Sequence, residues 1–444
     1  MNISHHGYRT MPRLLIALLL LVMAPAAARA FAIQDVTSPG GIKAWLVEDK
    51  AVPLIAMSFS FGSGSASDPA DKSGVANFIT GMMDEGAGDL DSKTFQKRRD
   101  ELGFRLSFDA SLDNFEGSFQ ALTANRDESF DLLRKAVTAP RFAEEPLQRM
   151  RQSFLLDIAG KNDDPQQIAY TAWLQQTLPG DPYGRRSTGT AASVGSITAQ
   201  DLKDAHRRIF NRATLQVAVV GDIDAKTLGP LLDKVFGALP LGEPPQLPPL
   251  PAGGQAAQVN VIERNIPQSI IVFGHQSIRR DDPQFIAGFV MSEILGGDGF
   301  GARLTTEIRE KRGLTYGVGA GLSPLRRAGL FLGSLSTRNE KAGEAMTLLK
   351  QEIGRMAEEG PTQQELDDAK TYLTGSYALR FTSNSAVAGQ LLGLQQQGMA
   401  IDYVEKRNSL IEALTLAGVK AAARRLLHAD KLIVTIVGKP EGLN

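Results

Sequence analysis

The residues best suited to do chemistry in this sequence are Arg309 and Tyr316, seven positions apart in the stretch LGGDGFGARLTTEIREKRGLTYGV at 295–318. The first is a permanent cation with several N–H donors and the second carries a phenol O–H. Spacing alone assigns them no role. Arg309, among Glu307, Glu310, Lys311 and Arg312, fits a salt-bridged residue on a solvated helix face, and Tyr316 fits a packed strand aromatic. Other chemistries are excluded more easily. There is no cysteine, so no disulfide, thiolate metal site or cysteine nucleophile is possible. His5 and His6 precede Met11, in a stretch that is either an upstream start or a leader extension and is set aside. His206, His275 and His428 lie far apart, none with a second histidine at metal-ligand spacing, and read as surface or hydrogen-bonded core residues. No Gly-x-Ser-x-Gly elbow accompanies a histidine, which speaks against a Ser/His hydrolase. A formal net charge of −1, with Lys and Arg scattered among Asp and Glu, gives no basic footprint for nucleic acid.

The elements that must position Arg309 and Tyr316 occur twice. A chain of 444 residues is too long for one core. The stretch LPLGEPPQLPPLPAGG, Leu239 to Gly254, has no apolar period and many breakers, which predicts a linker over 239–257. On either side the same order of elements recurs. The alternating strand Leu54–Phe61 and helix Gly74–Met83 answer the strand Ser269–Gly274 and helix Gln284–Leu295. FQKRRDELGF from Phe95 answers TTEIREKRGL from Thr305, each a charged helix stopped at a glycine, Gly103 or Gly313, before a strand. Each half closes on a β-branched strand, LQVAVVGD from Leu215 and LIVTIVGK from Leu432. The fold class expected is α+β: two homologous sandwich domains, 31–238 and 258–444, each with helices packed on a mostly antiparallel sheet. Two halves joined by a linker can also close around something between them. Ahead of them, Met11 to Arg13, the apolar run Leu14–Ala24 and Ala28-Arg29-Ala30 read as the three parts of a signal peptide cleaved after Ala30, the run being short for the alternative, an uncleaved membrane anchor.

The 295–318 stretch closely resembles the C-terminal signature of the pitrilysin/insulinase family of zinc peptidases, and the order of strands and helices resembles that family over essentially the whole mature chain. In active members, an arginine and a tyrosine at this spacing reach the substrate in the zinc site; they fall here on Arg309 and Tyr316. Such donors would stabilise the charge that develops on the scissile carbonyl oxygen when metal-bound water attacks it. The first half departs from the pattern. Where the family carries H-x-x-E-H, this chain has Asn77, Thr80 and Gly81 in SGVANFITGMM. The third ligand maps onto Asp157, and the acidic residue seven positions earlier has become Met150. One carboxylate without imidazoles cannot hold zinc.

The resemblance therefore implies the non-metal-binding subunit of a heterodimeric peptidase. It would bind no cofactor itself and would supply Arg309 and Tyr316 to zinc held by a partner carrying H-x-x-E-H, across an extensive interface. Peptide substrate would add as a strand to the edge at Arg105–Ala110, where Ser107 and Phe108 replace the Asn-Ala pair common in the family. The alternative is a catalytically inactive structural or peptide-binding subunit of the core type. Either would be exported to the periplasm, with no membrane insertion after signal cleavage.

Overall fold

A computed structural model describes residues 32–250, 256–297, 299 and 301–443. The signal peptide expected at 1–30 lies outside the described residues. Among those that are described, no helix is long and apolar enough to cross a membrane.

Two sheets organise the chain. The first takes β1 (Gln34–Thr37), β2 (Lys43–Glu48), β3 (Leu54–Phe61), β6 (Arg105–Ala110), β7 (Phe115–Leu122) and β8 (Gln216–Gly221) in the order β1-β2-β8-β3-β7-β6. The second takes β9 (Gln258–Glu263), β10 (Gln268–Ser277), β11 (Thr315–Pro324), β12 (Gly329–Arg338) and β13 (Ile433–Gly438) in the order β11-β12-β10-β13-β9. A ribbon of β4 (Gly86–Ala87) and β5 (Leu90–Asp91) stands apart. Each sheet is antiparallel except for one parallel pair, β2 with β8 and β9 with β13. The α+β duplication expected from the sequence is therefore present in the same element order. Its matching helix stops are also present: Gly103 and Gly313 sit at φ 65° and 61°, left-handed positions that glycine occupies without a Cβ penalty.

What the sequence leaves open is how the second face of each sheet is covered. The central strands are apolar on both faces, which requires cover on both. In β8, Val217 and Val219 face the first half's own helices, whereas Ala218 and Val220 face the helix Asn384–Gln396, which comes from the second half. The converse holds in the second sheet. Val434 and Ile436 face its own helices, while Ile433 and Val437 pack with Trp173 and Leu174 of the helix Pro165–Thr177, which comes from the first half. The halves thus exchange a helix. Polar bonds fix the exchange: Trp173 Nε1 donates to Ile433 O (2.9 Å), and Gln395 Nε2 donates to Val217 O (3.0 Å). At the β11–β12 hairpin, Arg326 donates to Gly62 O (2.6 Å) and Asn114 Oδ1 (2.6 Å) of the first half.

Candidate functional site

Arg309 sits on a π-helical turn, Thr305–Glu310, in which the Lys311 N–H reaches Thr306 O at 3.0 Å. A π turn in place of a regular helix is a frequent mark of a functional position. Its buried side, Leu304 and Ile308, joins the second core. The neighbouring Arg303 is buried and locked. Its Nε and Nη2 donate to the two Glu365 carboxylate oxygens (2.5 and 2.7 Å), and Nη2 also donates to Gly360 O (2.9 Å). Burial alone would raise the Glu365 pKa, but the Arg303 guanidinium and the Thr362 backbone bring it down to about 2. The backbone just before the turn carrying Arg309 is thereby tied, through a buried arginine and a half-buried glutamate, to Gly360 and Glu365, a contribution the sequence gives no sign of.

On the outer side, Glu307 takes both Lys311 (2.7 Å) and Arg312 (2.8 Å). That leaves Arg309 exposed, with no ion pair or side-chain hydrogen bond among the described residues. Tyr316 follows on β11, where the register with β12 shifts between Thr315 and Val318. Thr315 Oγ1 stabilises this bulge, accepting from Gly317 N (3.1 Å) and facing Ser336 O (2.6 Å). A bulge redirects side chains, and Tyr316 is 83% exposed. Neither residue follows the ordinary structural expectation: Arg309 is not salt-bridged and Tyr316 is not packed.

The first-half segment that the sequence matches to the zinc motif is built differently. The helix expected over Gly74–Met83 is shorter, Val75–Thr80, because Gly81 closes it and Met82 and Met83 turn into the core. Asn77 and Thr80 lie on it, with Thr80 Oγ1 donating to Asn77 O (2.7 Å). A side chain at Gly81 would press on Met150 and Phe154. A Cβ there would stand 2.7 Å from Met150 Cε and 3.1 Å from the Phe154 ring, which also packs on Phe78 with centroids 4.9 Å apart. Met150 and Phe154 share one face of the helix Glu144–Asp163 at i, i+4 spacing, the signal by which Phe154 could have been found. Asp157, further along that helix, is half exposed and paired with Lys161 (2.7 Å). Among the described residues no group of three His, Asp or Glu could hold a metal ion. Gly81→His is expected to cost about 1–3 kcal/mol by overpacking, measured by urea denaturation. The variant with Asn77→His, Thr80→Glu and Gly81→His is expected to bind no stoichiometric zinc by elemental analysis.

The helix Val75–Thr80 lies beside β6, an edge strand paired only with β7. Ser107 is exposed there, but Phe108 turns its ring into the core against Phe115 (5.9 Å) and Phe59 (6.2 Å). What this edge offers is backbone and the Ser107 side, not the Phe108 ring.

Of the described histidines, His275 is buried and His206 and His428 are half-buried. His206 Nε2 meets Val137 O (2.9 Å) and the ring stacks on Phe210 (4.4 Å). His275 and His428, distant in sequence, are neighbours with centroids 5.5 Å apart. His275 Nδ1 meets Gln276 O (2.8 Å) and its Nε2 accepts from the His428 N–H (3.3 Å), so both nitrogens are used. Burial lowers the pKa of His206 and of His275. The unfolded chain therefore takes up their protons first, and their contribution to stability is lost as pH falls below about 6.5. Asp68, raised by burial to about 7 despite Arg208, acts in the opposite sense over the same interval. The histidine share is the difference in Tm slope between pH 7.5 and 5.5. A His206→Gln/His275→Gln variant should lose less stability on acidification than the parent, and an equal slope contradicts the assignment.

Two family models match the sequence, insulinase (peptidase family M16) over residues 45–191 and the peptidase M16 inactive domain over residues 196–373. The fold is similar to the crystal structure of a peptidase M16 inactive domain from Pseudomonas fluorescens, with 30% identity, a TM-score of 0.85 and coverage of 92% of this chain and 98% of that one. A Helicobacter pylori protein named non-peptidase homolog YmxG is 24% identical over 428 residues, 96% of this chain and 98% of its own length. The periplasmic protease PqqL of Escherichia coli shares the fold at 19% identity and a TM-score of 0.78, this chain matching 46% of its length.

Proposed function

The chain belongs to the insulinase-type peptidase family M16, and on that footing we propose that it is the non-metal-binding subunit of a heterodimeric zinc peptidase. Zinc sits on a partner subunit carrying H-x-x-E-H, and Arg309 and Tyr316 of this chain bind the peptide and stabilise the transition state there. The observation that carries this reading is the contrast between the two halves. At the positions expected for the zinc motif, Gly81 packs against Met150 and Phe154, whereas Arg309 and Tyr316 stand exposed on a turn and a bulge. A packed first-half segment alone suits a structural or peptide-binding subunit equally well. A guanidinium with no ion pair among the described residues and a solvated phenol, on the turn and strand that follow the Arg303–Glu365 pair, favour the half-site. The domain limits 31–238 and 258–444 and the linker 239–257 belong to the same proposal. So does export to the periplasm after cleavage of residues 1–30, for which N-terminal sequencing of the mature protein should begin at Phe31.

Metal content tests the division of labour. The purified chain should carry no stoichiometric zinc and hydrolyse no unstructured peptide, and a heterodimer with the zinc-bearing subunit should contain about one zinc per pair. Stoichiometric zinc together with peptidase activity in this chain alone refutes the proposal.

A further inference from the structure

We propose that a cavity in the second half, bounded by Arg280, Arg380 and Arg407, is a carboxylate pocket that takes the C-terminal residue of a peptide: an apolar side chain with a free α-carboxylate. The cavity, of about 260 Å³, lies between the helix Phe285–Gly296, the end of β11, the turn Tyr377–Arg380, and the helices Asn384–Gln396 and Tyr403–Glu412. Its apolar wall includes Phe285, Ile286, Phe289, Leu322, Leu394 and Ile411. Three guanidinium groups line it and no carboxylate does.

Arg407 carries the inference. Two arginines are buried among the described residues, Arg303 and Arg407, each 7% exposed. Arg303 has Glu365 as its counter-charge. Arg407 has none. Its Nη1 donates to Leu373 O (3.1 Å) and Asn408 Oδ1 (3.1 Å), and its guanidinium lies 4.2 Å over the Tyr377 ring. No acceptor among the described residues takes the N–H groups on Nε and Nη2, which are not sealed from solvent. Buried charges are ordinarily paired or engaged with a ligand. Here burial lowers the Arg407 pKa, and after the opposing effect of Tyr377 and Tyr403, the like charges of Arg380 and Arg280 lower it further, a strain that a bound anion relieves.

The neighbours are arranged to serve the same ligand. Arg280 is held by Gln397 Oε1 (2.8 Å) and the Tyr403 hydroxyl (2.7 Å) and stacks 4.4 Å over Phe285. Arg380 is exposed at the rim with no ion pair or side-chain hydrogen bond among the described residues. A planar guanidinium favours a carboxylate by fork geometry. The apolar wall selects a carboxylate attached to an apolar group over inorganic phosphate. The volume falls below the range of about 300–1,000 Å³ typical of whole small-molecule sites and suits one terminal residue. The cavity shares Phe289 and Leu322 with a larger one of about 610 Å³ along β11, the strand that also bears Tyr316, so a chain anchored here can run along the inner surface. That the ligand is a peptide rests on the half-site reading; that it is a carboxylate does not.

The test uses the purified full chain without any zinc-bearing partner and a fluorescein-labelled peptide ending in Leu-Phe, as free acid and as C-terminal amide, followed by anisotropy. Amidation should weaken binding about tenfold, the loss of one charge-assisted contact. Arg380→Gln should weaken the acid about as much and leave the amide unchanged. Arg407→Gln should do the same wherever its thermal melt shows a folded chain. N-acetyl-phenylalanine should displace the acid at concentrations where inorganic phosphate does not. Equal binding of acid and amide, an Arg380→Gln effect that does not depend on the terminal charge, or displacement by phosphate at the same concentration overturns the proposal. The preference for acid over amide should persist in Arg309→Ala whatever that change does to overall peptide affinity, so this pocket and the catalytic half-site can fail independently.

Discussion

Tyr316→Phe is expected to lower the turnover of a reconstituted complex between this chain and a zinc-bearing subunit by about a hundredfold, the effect of losing one oxyanion donor. The change removes a single hydroxyl. Because the side chain is 83% exposed on the bulge at Thr315–Val318, its loss should leave the stability of this chain within about 0.5 kcal/mol of the parent. Complex formation, followed by gel filtration, should be intact, so the loss reports on the chemical step. Arg309→Ala should lower kcat/KM further, because the guanidinium holds the peptide as well as the developing charge. Unchanged turnover in both variants, with the complex still formed, removes the catalytic role and leaves the structural subunit.

The second large effect concerns the exchanged helices. Trp173 is fully buried where the helix Pro165–Thr177 from the first half meets the second sheet, and its indole N–H is bonded to Ile433 O. Trp173→Ala removes that bond and leaves a cavity between Leu174, Val272 and Val437, at a cost of about 3–5 kcal/mol. Urea denaturation of the purified chain reads this directly. A cost below about 1 kcal/mol would show that the two halves are not held together through this contact. Val387→Ala on the helix Asn384–Gln396 is the smaller counterpart, since Val387 packs with Val47, Ala218 and Val220 on the first sheet.

Much of this architecture is legible in the sequence because it is local. The strand expected at Leu54–Phe61 has those bounds in the structure, and the glycines that stop the two charged helices adopt the left-handed conformation in both halves. The helix exchange is not local. It is foreshadowed only by strands such as VAVV in β8 and IVTIV in β13, apolar on both faces, and a pattern of that kind says that a second cover exists without saying which segment supplies it.

The candidate site divides in the same way. That Asn77, Thr80 and Gly81 bear no metal-ligating histidine or glutamate is read from residue identity alone. That Met150 and Phe154 pack against Gly81 needs the structure. Strand periodicity treats Tyr316 as a packed aromatic, and only the register shift beside Thr315 exposes it. The lack of a counter-charge at Arg407 among the described residues escapes a linear reading entirely, because it is a property of everything around it.

The most direct test of the account is peptide turnover by the zinc-bearing partner measured alone and with one equivalent of this chain, on the same unstructured peptide. The account predicts negligible activity for the partner alone, recovery on adding this chain, and little recovery on adding the Arg309→Ala/Tyr316→Phe form. A partner that hydrolyses the peptide equally well on its own contradicts it.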